Sequence, residues 1–242
     1  MKSYQDKELV AKIDAYLAEH RDEIVEDLKK LVSQKSVRQD PTADCPFGDD
    51  VRKVLELGKA MAIDHGFEAE IYDGNMYALA RSGEGDKTIG LFSHLDVVPE
   101  GNGWMGKPYE PFEYKGLLIG RGVEDNKKAA IQSMYVMQMI RELGIPFSSR
   151  IQLYMGGAEE TGMEDLQQFV KSHPMPDFSL VPDSEFPCCV CEKSSAGFAA
   201  KAGRKFNQIT DFSGGIAQNV VPDLAHVTLK ADEALEAALK AN

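Results

Sequence analysis

Short apolar runs that end abruptly in polar clusters constrain this chain more than any other feature of its sequence. Residues 88–92 run straight into Ser93-His94-Leu95-Asp96, and Leu117-Leu118-Ile119 is followed closely by Gly120-Arg121-Gly122-Val123-Glu124-Asp125. Residues 151–155 cross a Gly-Gly break into Ala158-Glu159-Glu160-Thr161-Gly162, and residues 177–181 end in Pro182-Asp183. Runs of this length, bounded by Gly, Pro, Asp and Ser, read as strands.

Helical periodicity fills the spaces around them. Leu9, Ile13, Leu17, Ile24, Leu28 and Leu31 recur largely every three or four residues over 5–34, with a break offered at His20-Arg21-Asp22. Residues 50–65 and a strongly apolar segment from Asn126 to Leu143 repeat the pattern, and 163–172 is a shorter helix. Further strands are expected at 67–72, 76–81, 188–192 and 196–202. Strands alternating with helices predict an α/β fold of three layers, one sheet with helices on both faces. Ligands in such sheets bind at the carboxyl ends of the strands, which is where His94/Asp96, Asp125, Glu159/Glu160 and Asp183 fall.

Each of these residues has a dull explanation by itself. Adjacent glutamates are usually a solvated surface pair, a histidine after a strand is usually structural, and Asp125 could cap the following helix. Four clusters in equivalent places are harder to dismiss, because so many carboxylates at one sheet edge repel one another unless a cation neutralises them. Mixed imidazole and carboxylate donors suit zinc, manganese or cobalt better than magnesium. The scarcity of cysteine among them points to a catalytic rather than a structural metal. Neighbouring residues on an extended chain point to opposite sides, so Glu159 and Glu160 can divide the work. One binds metal while the other accepts a proton from activated water and passes it to a leaving amine. Asp96, two residues beyond His94, is placed to hydrogen-bond the other ring nitrogen; the alternative is a turn-stabilising role.

Composition excludes several functions. With 27 basic and 39 acidic residues the formal charge is −12, which argues against a nucleic-acid partner and against an anionic membrane surface. No run approaches the length of a membrane span, and the N-terminal 17 residues are charged and amphipathic, unlike a signal peptide. Four cysteines, three of them at 188, 189 and 191, form no disulfide framework. A reducing cytoplasm is therefore expected, with the cluster as apolar strand filling.

Together these segments resemble a known family. Ser93-His94-Leu95-Asp96-Val97-Val98-Pro99, Gly120-Arg121-Gly122-Val123-Glu124-Asp125-Asn126-Lys127, Ala158-Glu159-Glu160-Thr161-Gly162 and Pro182-Asp183-Ser184-Glu185-Phe186-Pro187 are similar to motifs of the dinuclear-zinc amidohydrolases of the aminoacylase/carboxypeptidase type. Pro46-Phe47-Gly48, Gly66-Phe67, Glu192-Lys193 and the segment from Ser213 to Asp223 favour the PepV-type dipeptidase branch, and the likeness runs from about residue 9 onward.

The resemblance implies a zinc-peptidase-like catalytic domain acting on small peptides with two Zn2+ ions, or Mn2+ or Co2+ in their place. It implies that His94 and Asp183 bind one metal, that Asp125 bridges both, and that Glu160 binds the second. Glu159 would be the general base, Asp96 would support His94, and the Asp125–Asn126 peptide bond would be cis. Residues 1–222 would be the N-terminal part of the catalytic domain and 223–242 the beginning of an α+β lid. The chain departs from the family where Asn126, Lys127 and Lys128 stand in place of Asp-Lys-Gly. Family members are about twice as long and supply a further histidine ligand after the lid. Neither His173 nor His226 is read as that ligand. An incomplete second metal site, weak or absent dipeptidase activity, and an exposed apolar sheet surface that favours self-association are expected. Two alternatives stay open: another activity of the superfamily (aminoacylase, desuccinylase or carboxypeptidase), and a non-catalytic binding module.

Overall fold

Two helices rather than one open the chain, because the helical run breaks at His20. The Asp6 carboxylate accepts from the backbone N–H groups of Glu8 and Leu9 and so starts α1 (Lys7–Glu19), and α2 (Arg21–Ser33) begins directly after His20. The computed structural model describes residues 6–184, 188–191, 196–201, 203, 207–215, 221–222, 224–230 and 232–240. After α3 (Asp49–Asp64) come β1 (Glu68–Tyr72) and β2 (Tyr77–Ser82), joined by a turn in which Asp73, Gly74 and Asn75 all take positive φ. Next are β3 (Thr88–His94), a small hairpin of β4 (Phe112–Tyr114) and β5 (Leu117–Ile119), and α4 (Lys128–Glu142). Then follow β6 (Arg150–Gly156), α5 (Glu164–Ser172) and β7 (Phe178–Leu180), with β8 (Ile209–Gly214), β9 (Ala225–Leu229) and α6 (Glu233–Lys240) closing the chain.

The main sheet has the order β1-β2-β6-β3-β7. Strands β6, β3 and β7 run parallel, whereas β1 and β2 pair antiparallel on one side. Alternation along the strands sorts the two faces. Ala78, Ala80, Leu91, Leu153 and Met155 face one way and pack with Val54 and Leu55 of α3 and with Ile131, Met134 and Met137 of α4. Tyr77, Leu79, Phe92 and Tyr154 face the other way and pack on Phe169 of α5. Helices therefore cover both faces of one sheet, and the expected three-layer α/β architecture is present. Burying each large apolar side chain in these layers contributes roughly 1.5–3 kcal/mol.

The chain divides into two compact units, residues 1–186 and 187–242. Within the second, β8 and β9 pair antiparallel. The position expected for the start of the lid, 222–223, lies within the second of these units. The strands expected at 188–192 and 196–202 do not form over the residues described there, 188–191 and 196–201. Cys188, Cys189 and Cys191 are exposed and so are not strand filling; apolar composition alone supplies no pairing partner. Glu185, Phe186, Pro187, Glu192, Lys193, residues 216–220 and Asp223 lie outside the described residues. Among those described, no helix is long and apolar enough to cross a membrane. The edge strand β7 presents exposed Phe178 and Leu180, with Val181 just beyond.

Candidate metal centre

Strand register brings the polar clusters together. In the parallel pair β3/β6, His94 lies opposite Gly156, so the chain leaving β6 carries Glu159 and Glu160 past the end of β3. On the other side Leu91 pairs with Leu180, which brings Asp183 to the same edge. Asp125 arrives from the irregular turn Val123–Lys127 that leads into α4, and its peptide bond to Asn126 is cis. The site thus sits at the carboxyl ends of three parallel strands, the usual ligand position in such sheets.

His94 is the centre of the group and is buried. Its Nε2 lies 3.1 Å from Asp125 Oδ1, 3.5 Å from Asp183 Oδ2 and 3.9 Å from Glu159 Oε2. One donor atom from each of His94, Asp125 and Glu160 falls within 4.8 Å of the others. The other ring nitrogen, Nδ1, lies 2.9 Å from the backbone carbonyl of Asp96 and 3.4 Å from its carboxylate. A carbonyl can only accept, so Nδ1 carries a proton and Nε2 faces the carboxylates. That arrangement aims the Nε2 lone pair of a neutral ring where a cation ligand is needed.

Asp96 does more than its spacing from His94 suggests. Its side chain is buried, and its two carboxylate oxygens accept the backbone N–H groups of Glu159 and Glu160, each at 3.1 Å. The backbone of Asp96 therefore fixes the imidazole, and its side chain fixes the turn that bears both glutamates.

Electrostatics describe a site built around positive charge. Burial works against a charged His94, but the hydrogen bonds its ring donates to the Asp125, Asp183 and Asp96 carboxylates outweigh it and hold the imidazole well above its ordinary value. The same contact with His94 holds the Asp125 carboxyl below the usual carboxylate range. Burial raises Glu159, and burial followed by the negative charge of Asp125 pushes Glu160 up to about 7.

The donor set fits a divalent ion of the zinc, manganese or cobalt type, with one imidazole and at least two carboxylates converging from separate elements. A second observation points the same way. Asn126 is fully buried beside His94, Glu159 and Asp183, and among the described residues neither its amide oxygen nor its amide nitrogen has a hydrogen-bond partner. Unpaired buried amides are rare, and one at a polar site calls for a partner such as an ion or a water. The adjoining cavity measures about 200 Å3 and is walled by Phe92, Met163, Leu166, Met175 and Val181.

All six residues named from the sequence, His94, Asp96, Asp125, Glu159, Glu160 and Asp183, thus lie at one sheet edge. Sequence reasoning missed two supporting residues. Lys127 is fully buried, donates to the carbonyls of Leu31 and Gln34 at 3.2 and 2.7 Å, and is pushed down to about 7 by burial. Asp165 is buried beneath the Glu159–Glu160 turn. In sequence each looks like an ordinary charge in the first turn of a helix.

Comparisons with known proteins accord with this geometry. The model of "Peptidase family M20/M25/M40" matches residues 90–238. A curated Staphylococcus aureus (strain bovine RF122 / ET3-1) protein named "Putative dipeptidase SAB1611c" is 30% identical over 224 residues, covering 89% of this chain and 48% of its own length. The chain spans about half the length of the curated relatives it matches. Human carnosine dipeptidase 1 superposes with a TM-score of 0.63 at 25% identity, over 73% of this chain and 41% of that one. The M20 family metallo-carboxypeptidase Sso-CP2 from Sulfolobus solfataricus shares the fold, with a TM-score of 0.58 at 17% identity, over 66% and 37%. With the family's pattern matched over more than half its length, this chain belongs to peptidase family M20/M25/M40.

Proposed function

We propose that this chain carries the metal-binding part of a divalent-metal-dependent dipeptidase. The observation that carries the reading is the convergence of His94, Asp125 and Glu160 donor atoms within 4.8 Å, with Asp183 and Glu159 beside the same imidazole nitrogen. In this reading His94 and Asp183 would hold one ion, Glu160 would hold a second and Asp125 would serve both, with zinc the expected metal and manganese or cobalt substitutes. A divalent ion there supplies Lewis-acid polarisation of a peptide carbonyl and of the attacking water. Glu159, half-buried and with its proton affinity raised by burial, accepts the proton of that water and returns it to the departing amine. Asp96 holds the imidazole and the glutamate turn in place throughout. The names of the relatives support dipeptides as the substrate class.

Metal analysis after equilibrium dialysis tests the metal reading. Bound Zn2+ in the wild-type chain and its loss in Asp125→Ala are expected, and a wild type that retains no divalent ion refutes it. The chain spans about half of its relatives, so the peptide reading is tested by comparison rather than by absolute rate. Zn2+-dependent release from free-amino dipeptides should exceed release from N-acyl amino acids and vanish in Glu159→Gln while Zn2+ stays bound. Preference for N-acyl amino acids would move the assignment to the aminoacylase side of the superfamily.

A further inference from the structure

The main chain leaving β6 offers four consecutive backbone N–H groups, and two buried carboxylates take all four. Asp96 accepts those of Glu159 and Glu160. Asp165, on the first turn of α5, accepts those of Gly157 and Ala158 through a single oxygen, Oδ2, at 2.7 and 3.1 Å. Its other oxygen accepts the N–H of Leu166 at 2.8 Å. Asp165 is 2% exposed, and a carboxylate so buried is costly unless its hydrogen bonds compensate. Here its acceptor capacity is directed chiefly at the segment that precedes the two glutamates.

The Gly-Gly break acquires a reason from this contact. A Cβ on Gly156 would lie 2.5 Å from Asp165 Oδ2, and one on Gly157 would lie 2.8 Å from the carbonyl of Met76. At Gly156 only a residue without a side chain lets the carboxylate reach the amides, whereas Gly157 makes room for the main chain at Met76. The segment's carbonyls have partners of their own, Gly156 accepting from Leu95 at 2.8 Å and Ala158 from Met163 and Thr161 at 2.8 and 3.3 Å, but its N–H groups from Gly157 to Glu160 are held by the two carboxylates.

We propose that Asp165 is a positioning residue of the metal centre. It holds the first half of the turn that presents Glu159 and Glu160, as Asp96 holds the second. The inference rests on the reading above, in which Glu160 binds a divalent ion and Glu159 handles protons. Two readouts separate the failure of one from the failure of the other. Co2+ titration followed by visible absorption reports the metal site, and hydrogen exchange of a peptide covering 157–160 in metal-free protein reports the turn itself. Asp165→Ala should weaken Co2+ binding by about 10- to 100-fold, the range for groups that orient metal ligands, and speed exchange over 157–160 while β3 and α4 stay protected. Asp165→Asn, whose amide oxygen can still accept both N–H groups, should recover most of the affinity and protection. Gly156→Ala, which displaces the carboxylate without removing it, should reproduce the loss and decides the matter if Asp165→Ala does not fold. Unchanged exchange in Asp165→Ala or in Gly156→Ala overturns the proposal, as does an Asp165→Asn protein no better than Asp165→Ala. A wild type that binds no Co2+ overturns the metal reading, and with it the part of this inference that concerns the metal.

Discussion

Replacing Asp96 by alanine tests how the site is held together. The carboxylate is 1% exposed and accepts two N–H bonds, from Glu159 and Glu160. Hydrogen bonds to a charged acceptor contribute roughly 1.5–3 kcal/mol each, so their loss costs about 3–6 kcal/mol before compensation. Relief works in the opposite direction. Asp96 adds like charge beside Glu159 and Glu160 and raises the proton affinity of both, so its removal lessens crowding among the carboxylates. The net loss of unfolding free energy in metal-free protein should be about 3 kcal/mol, near the lower end of that range. Urea denaturation followed by circular dichroism measures it, and hydrogen exchange locates it. The amides of 159 and 160 should lose protection. The imidazole of His94 should keep its orientation, because its Nδ1 lies 2.9 Å from the backbone carbonyl of residue 96, which the substitution leaves in place, against 3.4 Å from the side chain it removes. Asp96→Asn should fall between the two proteins, since one amide oxygen can replace one of the two acceptors. A loss below about 1 kcal/mol, the net contribution of one ordinary hydrogen bond, with unchanged exchange at 159 and 160, would refute the argument.

Other outcomes follow from single contacts. Phe169→Ala removes a fully buried ring packed edge-on against Tyr77, Phe92 and Tyr154, and chemical denaturation should show a loss of about 3–5 kcal/mol. Zn2+ at a hundredfold excess over its dissociation constant should stabilise the folded chain by about 2.7 kcal/mol, read as a raised Tm that EDTA reverses and Asp125→Ala abolishes. The Tyr77 hydroxyl holds the Asp73 carboxyl below its ordinary value of 3.8. Because that folded value is depressed, its contribution to stability is complete above the unfolded value and disappears as pH falls through the folded one. The acid limb of the stability curve should therefore flatten in Asp73→Asn.

The layout of the site was legible because strand ends are legible. Apolar runs stopping at His94, at the Gly156-Gly157 pair and before Asp183 mark where β3, β6 and β7 end, and parallel neighbours bring such ends to one edge. The break at His20 was legible for a similar reason, since local sequence sets helix limits. Lys127 and Asp165 were not, because burial is decided by which helix packs over which strand. Asp165 reads as a first-turn acid until α5 is laid on the sheet. The role of the Asp96 carboxylate was hidden because its partners are backbone amides, which every sequence possesses. The strands expected at 188–192 and 196–202 failed over the residues described there for want of pairing information, which a single run of apolar residues does not contain.

The two faces of the sheet also act as an alignment key. Pairing by whole residues puts rings against rings on one side (Phe92 opposite Tyr154) and aliphatic groups on the other (Leu91 opposite Leu153). A slip of one position between β3 and β6 would exchange the faces, setting a ring where the α3/α4 layer leaves room for a leucine. It would also displace His94 along the strand from Gly156, by about 3.3 Å. The mismatch in size between the layers thus sets the positional tolerance of the metal centre through the strands that carry it. Ring-to-aliphatic changes in the α5 layer should therefore broaden the distribution of metal-site geometries even where they leave the chain folded.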